Sequence, residues 1–106
     1  MKEIILNRKD YKSYKDCYTD IYNKFDGKEN PDFDYCITPL GYSADTLNEF
    51  LWYYHNDNIK IILLNFDKEK ITLQKNYDDY EYNIMFRVFE RFVNQYPNNE
   101  LEFRNE

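Results

Sequence analysis

The sequence predicts an α/β domain in which three short parallel strands are packed with three or four α-helices. Three observations lead there. Apolar, β-branched-rich runs stand at Ile4-Ile5-Leu6 and Ile59-Lys60-Ile61-Ile62-Leu63-Leu64, and Leu101-Glu102-Phe103 alternates near the C-terminus. The intervals between these runs place apolar residues at helical spacing, so the crossovers are helical and the strands they join run parallel. Only two glycines and three prolines occur in 106 residues, too few for a many-turned all-β chain.

Each element follows from local pattern. Ile4-Ile5-Leu6 opens the sheet. Ser13-Tyr14-Lys15-Asp16 has the form of a capping box with Asp replacing Glu, and Tyr14, Cys17, Tyr18, Ile21 and Phe25 recur at helical spacing, which predicts a first helix over about Tyr14 to Phe25. The segment Asp26 to Ser43 holds both glycines and two of the three prolines. It reads as an irregular connection of unusual length, the kind of segment that carries function. A second helix is predicted over Asp45 to His55. A third is predicted over Asp79 to Gln95, with Ile84, Met85, Val88, Phe89, Phe92 and Val93 on one stripe and Pro97 beyond its end. The run Asp78-Asp79-Tyr80-Glu81 complements the dipole of that helix. One set of elements and no internal repeat predict a single domain over residues 1–106.

Charge narrows the function classes. Twenty Asp and Glu against fourteen Lys and Arg leave a net charge of −6 and an isoelectric point near 4.8. Nucleic acid and anionic membranes reward a basic face, so neither is an expected partner; a cationic protein is. Mean hydropathy is low, at −0.91, yet twelve Tyr, eight Phe and one Trp supply the area for a core. The N-terminal apolar run is too short for a signal segment or a membrane span. Cys17 and Cys36 lack C-x-x-C spacing and no Asn opens a glycosylation sequon, so a reducing cytoplasm is the expected compartment.

Little here suggests catalysis or cofactor binding. His55, the only histidine, falls at the predicted end of helix two, where capping the last carbonyls suits it. Asp26, Asp32 and Asp34 do not follow a calcium-loop spacing, and no Cys/His cluster marks another metal site. Cys17 lies on an apolar stripe, Cys36 has no identified base, and no Gly-rich phosphate loop occurs. The tyrosines at 11, 14, 18, 22, 77, 80, 82 and 96 fall mostly at helical intervals and read as core-rim residues. No cofactor, metal or catalytic residue is expected.

Helix two carries the sharpest signal. At about 100° per residue, Leu47, Phe50, Leu51 and Tyr54 share one arc and face the core, while Asp45, Asn48, Glu49 and Trp52 occupy the opposite arc. The plain reading is that the long connection or helix one covers Trp52, and that the acids solvate a surface helix. The functional reading is an anionic plug for a basic cleft, since two carboxylates beside an indole suit Arg or Lys contacts in a desolvated interface.

The segment Gly41-Tyr42-Ser43-Ala44-Asp45-Thr46-Leu47-Asn48-Glu49-Phe50-Leu51, followed by the strand Ile59 to Leu64, resembles the barstar family, whose segment reads approximately Tyr-Gly-x-Asn-Leu-Asp-Ala-Leu-x-Asp-x-Leu. The likeness extends to Ile4-Ile5-Leu6-Asn7, Ser13 to Phe25, Val88-Phe89 and Leu101 to Arg104. It covers most of the chain, by pattern more than by identity. The resemblance implies a barstar-like fold and a non-enzymatic immunity protein that blocks a toxic ribonuclease. Its second helix and preceding loop would enter the basic active site. The free inhibitor would be a monomer, binding its toxin one to one.

The family's two helix-two acids fall on Asp45 and Glu49, and its loop glycine on Gly41. Asn48, Trp52, Tyr42 and Tyr35 complete the expected contact set. The chain departs from the family at Pro39-Leu40, where an aromatic pair precedes the glycine. It departs again at Asn48, where a tryptophan lies between the acids, and at Arg91, where the last helix carries an acid, with Glu90 one position away. Two other classes remain open from the residues alone: a small hydrolase or transferase using Asp45 and Glu49, and a module that self-associates through the Trp52 face.

Overall fold

A computed structural model describes residues 1–25 and 29–106. The chain forms β1 (Lys2–Asn7), α1 (Tyr14–Lys24), α2 (Phe33–Cys36), α3 (Ala44–Trp52), β2 (Ile59–Leu64), α4 (Lys68–Thr72), α5 (Tyr77–Gln95) and β3 (Glu100–Arg104). Short 3-10 turns at Arg8–Asp10 and Pro39–Gly41 complete the path. The sheet is three-stranded and wholly parallel with β2 in the centre, as the strand and helix pattern predicts.

Sheet register explains which residues form the core. Ile4 pairs with Ile61 and Leu6 with Leu63, while Ile61 and Leu63 in turn pair with Leu101 and Phe103. This face packs against Cys17, Tyr18, Ile21 and Tyr22 of α1, Leu47, Phe50 and Leu51 of α3, and Met85, Phe86 and Phe89 of α5. The other face alternates by the two-residue period of a strand. There Lys60 and the buried Ile62 and Leu64 lie on the same side as Glu102 and Arg104, and Glu102 pairs with Lys60 at 3.4 Å and with Arg104 at 2.5 Å. Both connections move one strand in the same direction, and right-handed crossovers then put their helices on one face.

Several expected boundaries shift. Helix one ends at Lys24, with Phe25 as its cap residue. Its capping box is not made, and the carboxylate reaches one residue past the cap instead. The Ser13 side chain makes no cap bond, while Asp16 Oδ2 accepts from the Lys12 amide at 2.9 Å. Helix two ends at Trp52 rather than His55. Helix three starts at Tyr77 because Asn76 and Asp79 cap it reciprocally: the Asp79 amide donates to Asn76 Oδ1 at 2.8 Å and Asn76 Nδ2 to Asp79 Oδ2 at 3.2 Å. On this helix Ile84 and Val93 are only half-buried, and Tyr82 and Phe86 take the core positions instead. A helix contacted by α1, α3, α4 and β3 buries a wider arc than one stripe.

Two helical pieces were not expected from the sequence. The connection before Ser43 is not irregular throughout. It contains α2 and the 3-10 turn that Pro39 begins, an allowed place for proline because the first turn needs no donor from it. Helix α4 is five residues capped by Asp67, whose carboxylate accepts from the Lys70 amide at 3.1 Å. Asp26, at the head of the connection and among the calcium candidates, lies outside the described residues.

Candidate functional site

The site is built on α3. Ser43 caps the helix, its hydroxyl accepting from the Thr46 amide at 3.3 Å. Leu47, Phe50 and Leu51 are fully buried, each contributing about 1.5–3 kcal/mol. That burial fixes the rotation of the helix. Asp45, Asn48 and Glu49 consequently face solvent. Trp52 is 57% exposed, so neither the connection nor α1 covers it.

Trp52 is nevertheless oriented. Its ring stacks on His55 at 4.9 Å and 22°, and His55 in turn lies 5.0 Å from Tyr96. His55 Nδ1 sits 2.6 Å from the Trp52 carbonyl, so the histidine serves the helix end, as the sequence suggested, from the turn that follows. An indole held against a second ring loses less rotamer freedom on binding.

The connection packs beside α3 through a buried polar clamp. Asn30, 3% exposed, donates from Nδ2 to the Phe50 carbonyl at 3.2 Å and accepts the Asp32 amide on Oδ1 at 3.0 Å. Phe50 O is one of the last carbonyls of the helix and needs a partner from outside it. Past the clamp, α2 and its following turn present Tyr35, Ile37 and Leu40 to solvent. Cys36 points inward and is buried. Burial pushes its thiol up to about 11, with the Asp32 and Glu49 carboxylates adding to the rise, which keeps it an inert thiol at neutral pH.

Gly41 and Tyr42 sit deeper than a contact surface requires. Gly41 is buried, and a Cβ there would lie 2.1 Å from the Cys36 carbonyl oxygen. Its carbonyl accepts from the Tyr22 hydroxyl at 2.5 Å. Gly41 thus shapes the loop by close backbone approach rather than by offering a surface. Tyr42 is half-buried, packs 6.1 Å from Tyr18 and shares a 3.1 Å hydrogen bond with Thr19 Oγ1. Tyr35, at 53% exposure, is the more available ring.

Charge is distributed unevenly along the chain. Residues 29–59 contain Glu29, Asp32, Asp34, Asp45, Glu49 and Asp57 and no Lys or Arg, so this stretch carries −6, the net charge of the whole chain. The same stretch supplies Tyr35, Ile37, Leu40, Trp52 and Tyr53, half of the ten large apolar side chains exposed among the described residues. The ion pairs among the described residues all lie elsewhere. This partition is present in the sequence as an uninterrupted absence of basic residues, a signal broader than the stripe on one helix.

Among the described residues no three His, Cys, Asp or Glu side chains gather as metal ligands, and no helix is long and apolar enough to cross a membrane. No family model, curated protein or solved structure matches the chain.

Proposed function

We propose that this chain is a barstar-like immunity protein: a non-enzymatic inhibitor that occludes the basic active site of a toxic ribonuclease in a one-to-one complex, acting in the cytoplasm. The observation that carries this reading is the unneutralised acidic surface of α2 and α3, with Trp52 standing exposed among its carboxylates. Asp45 and Glu49, on adjacent turns of one helix, would stand where RNA phosphates bind, each meeting a Lys or Arg of the toxin. Trp52 and Tyr35 would supply the apolar anchors that dominate such interfaces.

Exposure also favours binding over hydrolysis by the same residues. General acid–base carboxylates work in a pocket that desolvates them and orients substrate. Asp45 and Glu49 are both open to solvent.

The test is affinity capture from the source cell with wild-type and Asp45→Lys/Glu49→Lys protein, followed by a ribonuclease assay on any basic protein retained. The expected result is a nuclease held and silenced by wild type alone, with the double variant weaker by about a thousandfold or more. Equal capture by both proteins would move the interface off α3, and captured material without nuclease activity would remove the ribonuclease reading.

A further inference from the structure

Helices α3 and α5 pack side by side on the same face of the sheet. Each feeds a strand of one parallel pair, so they run in the same direction. Their C-terminal ends also meet: His55 and Tyr96 lie 5.0 Å apart, and Asn98 and Asn99 both donate to the His55 carbonyl.

Counting back along each helix from its last residue, Trp52 on α3 and Gln95 on α5, at about 1.5 Å per residue puts Glu49 about 4.5 Å and Arg91 about 6 Å from the end, and Asp45 about 10.5 Å and Arg87 about 12 Å. The two helices therefore present matched rows, acidic on α3 and basic on α5. Arg87 and Arg91 are exposed, and neither they nor Asp45 and Glu49 join an ion pair among the described residues. Glu90, half-buried, lines the same shallow surface groove as the two arginines, together with Asn94 and Gln95.

We infer that two copies of this chain dock through this double row as a weak, reversible dimer. A twofold axis running along the seam between α3 and α5 lays α3 of each copy over α5 of the other, pointing the same way and at the same level. Asp45 then faces the second copy's Arg87 and Glu49 its Arg91, while Trp52 falls over the Asn94–Gln95 end of the groove. Each contact is made twice, so the assembly closes at two copies rather than growing.

A second copy suits this surface because it supplies acid and base in the register the surface itself has. The patch spans two short helix faces, which sets it among transient rather than obligate interfaces. Formation of this dimer would cover the acidic face, so a cationic partner would bind the monomer and draw the equilibrium toward it. The dimer itself does not depend on the inhibitor reading, because the two assemblies share α3 but only the dimer uses α5.

Sedimentation equilibrium and a charge-swap mixture test the dimer. At about 100 μM and low salt, wild type should show a mass average above that of the monomer, falling to the monomer as salt shortens the screening length. Asp45→Lys/Glu49→Lys alone and Arg87→Glu/Arg91→Glu alone should each be monomeric, because each sets like charges face to face. Their equimolar mixture should recover the dimer, since every pair is again opposite in sign; recovery also shows that both variants are folded. Monomeric wild type at that concentration, or single variants that keep the wild-type mass, would overturn the inference. Arg87→Glu/Arg91→Glu protein should still capture a cationic partner, so loss of dimer and loss of inhibitor function are separable.

Discussion

The backbone amide of Tyr14, at the start of α1, donates to Asp78 Oδ1 on α5 at 2.8 Å. Sixty-four residues separate the partners. The first turn of one helix is thus satisfied by the first turn of another, and Asp78 also stands 3.8 Å from Arg8. Asp78→Ala should cost about 1–2 kcal/mol through the lost cap. Ser13→Ala should cost only a few tenths, because the Ser13 side chain makes no cap bond. Urea midpoints for the two variants check the order, and equal losses would return the cap to Ser13.

Gly41→Ala should be far more costly than an ordinary loop substitution. The new methyl carbon would stand 2.1 Å from the Cys36 carbonyl oxygen, a backbone atom that cannot swing away. The turn after α2 must move, and with it the carbonyl that accepts from Tyr22. A loss of about 2–4 kcal/mol is expected by thermal or urea unfolding. Tyr22→Phe, which removes only the hydroxyl, should lose about 1 kcal/mol.

Asn30→Ala should destabilise the chain and loosen α2 together. It leaves the Phe50 carbonyl and the Asp32 amide without the partners they have in the native structure. The expected cost is about 1–3 kcal/mol. Hydrogen exchange should show faster opening of Phe33–Cys36 amides with little change in β2, whereas uniform acceleration would mean that Asn30 supports the whole fold instead.

Stability should fall at alkaline pH. Burial holds the Tyr18, Tyr22 and Tyr82 hydroxyls above their ordinary value of 10.0 and raises the Cys36 thiol from 9.0 to about 11. Below the unfolded values both states keep these protons, and the contribution is fully present. As pH rises past them the unfolded chain ionises first, so stability declines toward the folded values. Urea midpoints should be level from about pH 7 to 8.5 and drop steadily above about pH 9. A midpoint that rose over that range would contradict the burial of these groups.

Trp52→Ala should leave stability within about 0.5 kcal/mol, since the ring is largely exposed. The same change should weaken capture of a cationic partner by about 2 kcal/mol, as expected for an aromatic anchor at the centre of an interface. Calorimetric titration against the partner, beside a denaturation curve, separates the two quantities.

Much of this molecule is legible without coordinates. The three strands, the parallel sheet, and the inward face of α3 all follow from periods of two and 3.6 residues. Those periods report how each residue stands relative to its near neighbours. They therefore also placed Asp45, Asn48, Glu49 and Trp52 on the outward face, where the structure has them. Helices α2 and α4 were missed because four and five residues hold too little pattern to register a period.

What the sequence by itself determined is the order of elements, the apolar stripes that drive them together, and an acidic, aromatic stretch without basic residues. Tertiary structure alone decided that Gly41 is a packing position against Cys36, that Asn30 clamps the connection onto Phe50, and that Asp78 caps α1. It also decided that α3 and α5 pack side by side with their C-terminal ends together at His55 and Tyr96. Each of these joins atoms from separate stretches of chain, and such meetings are set by how helices and sheet share one core rather than by local preference.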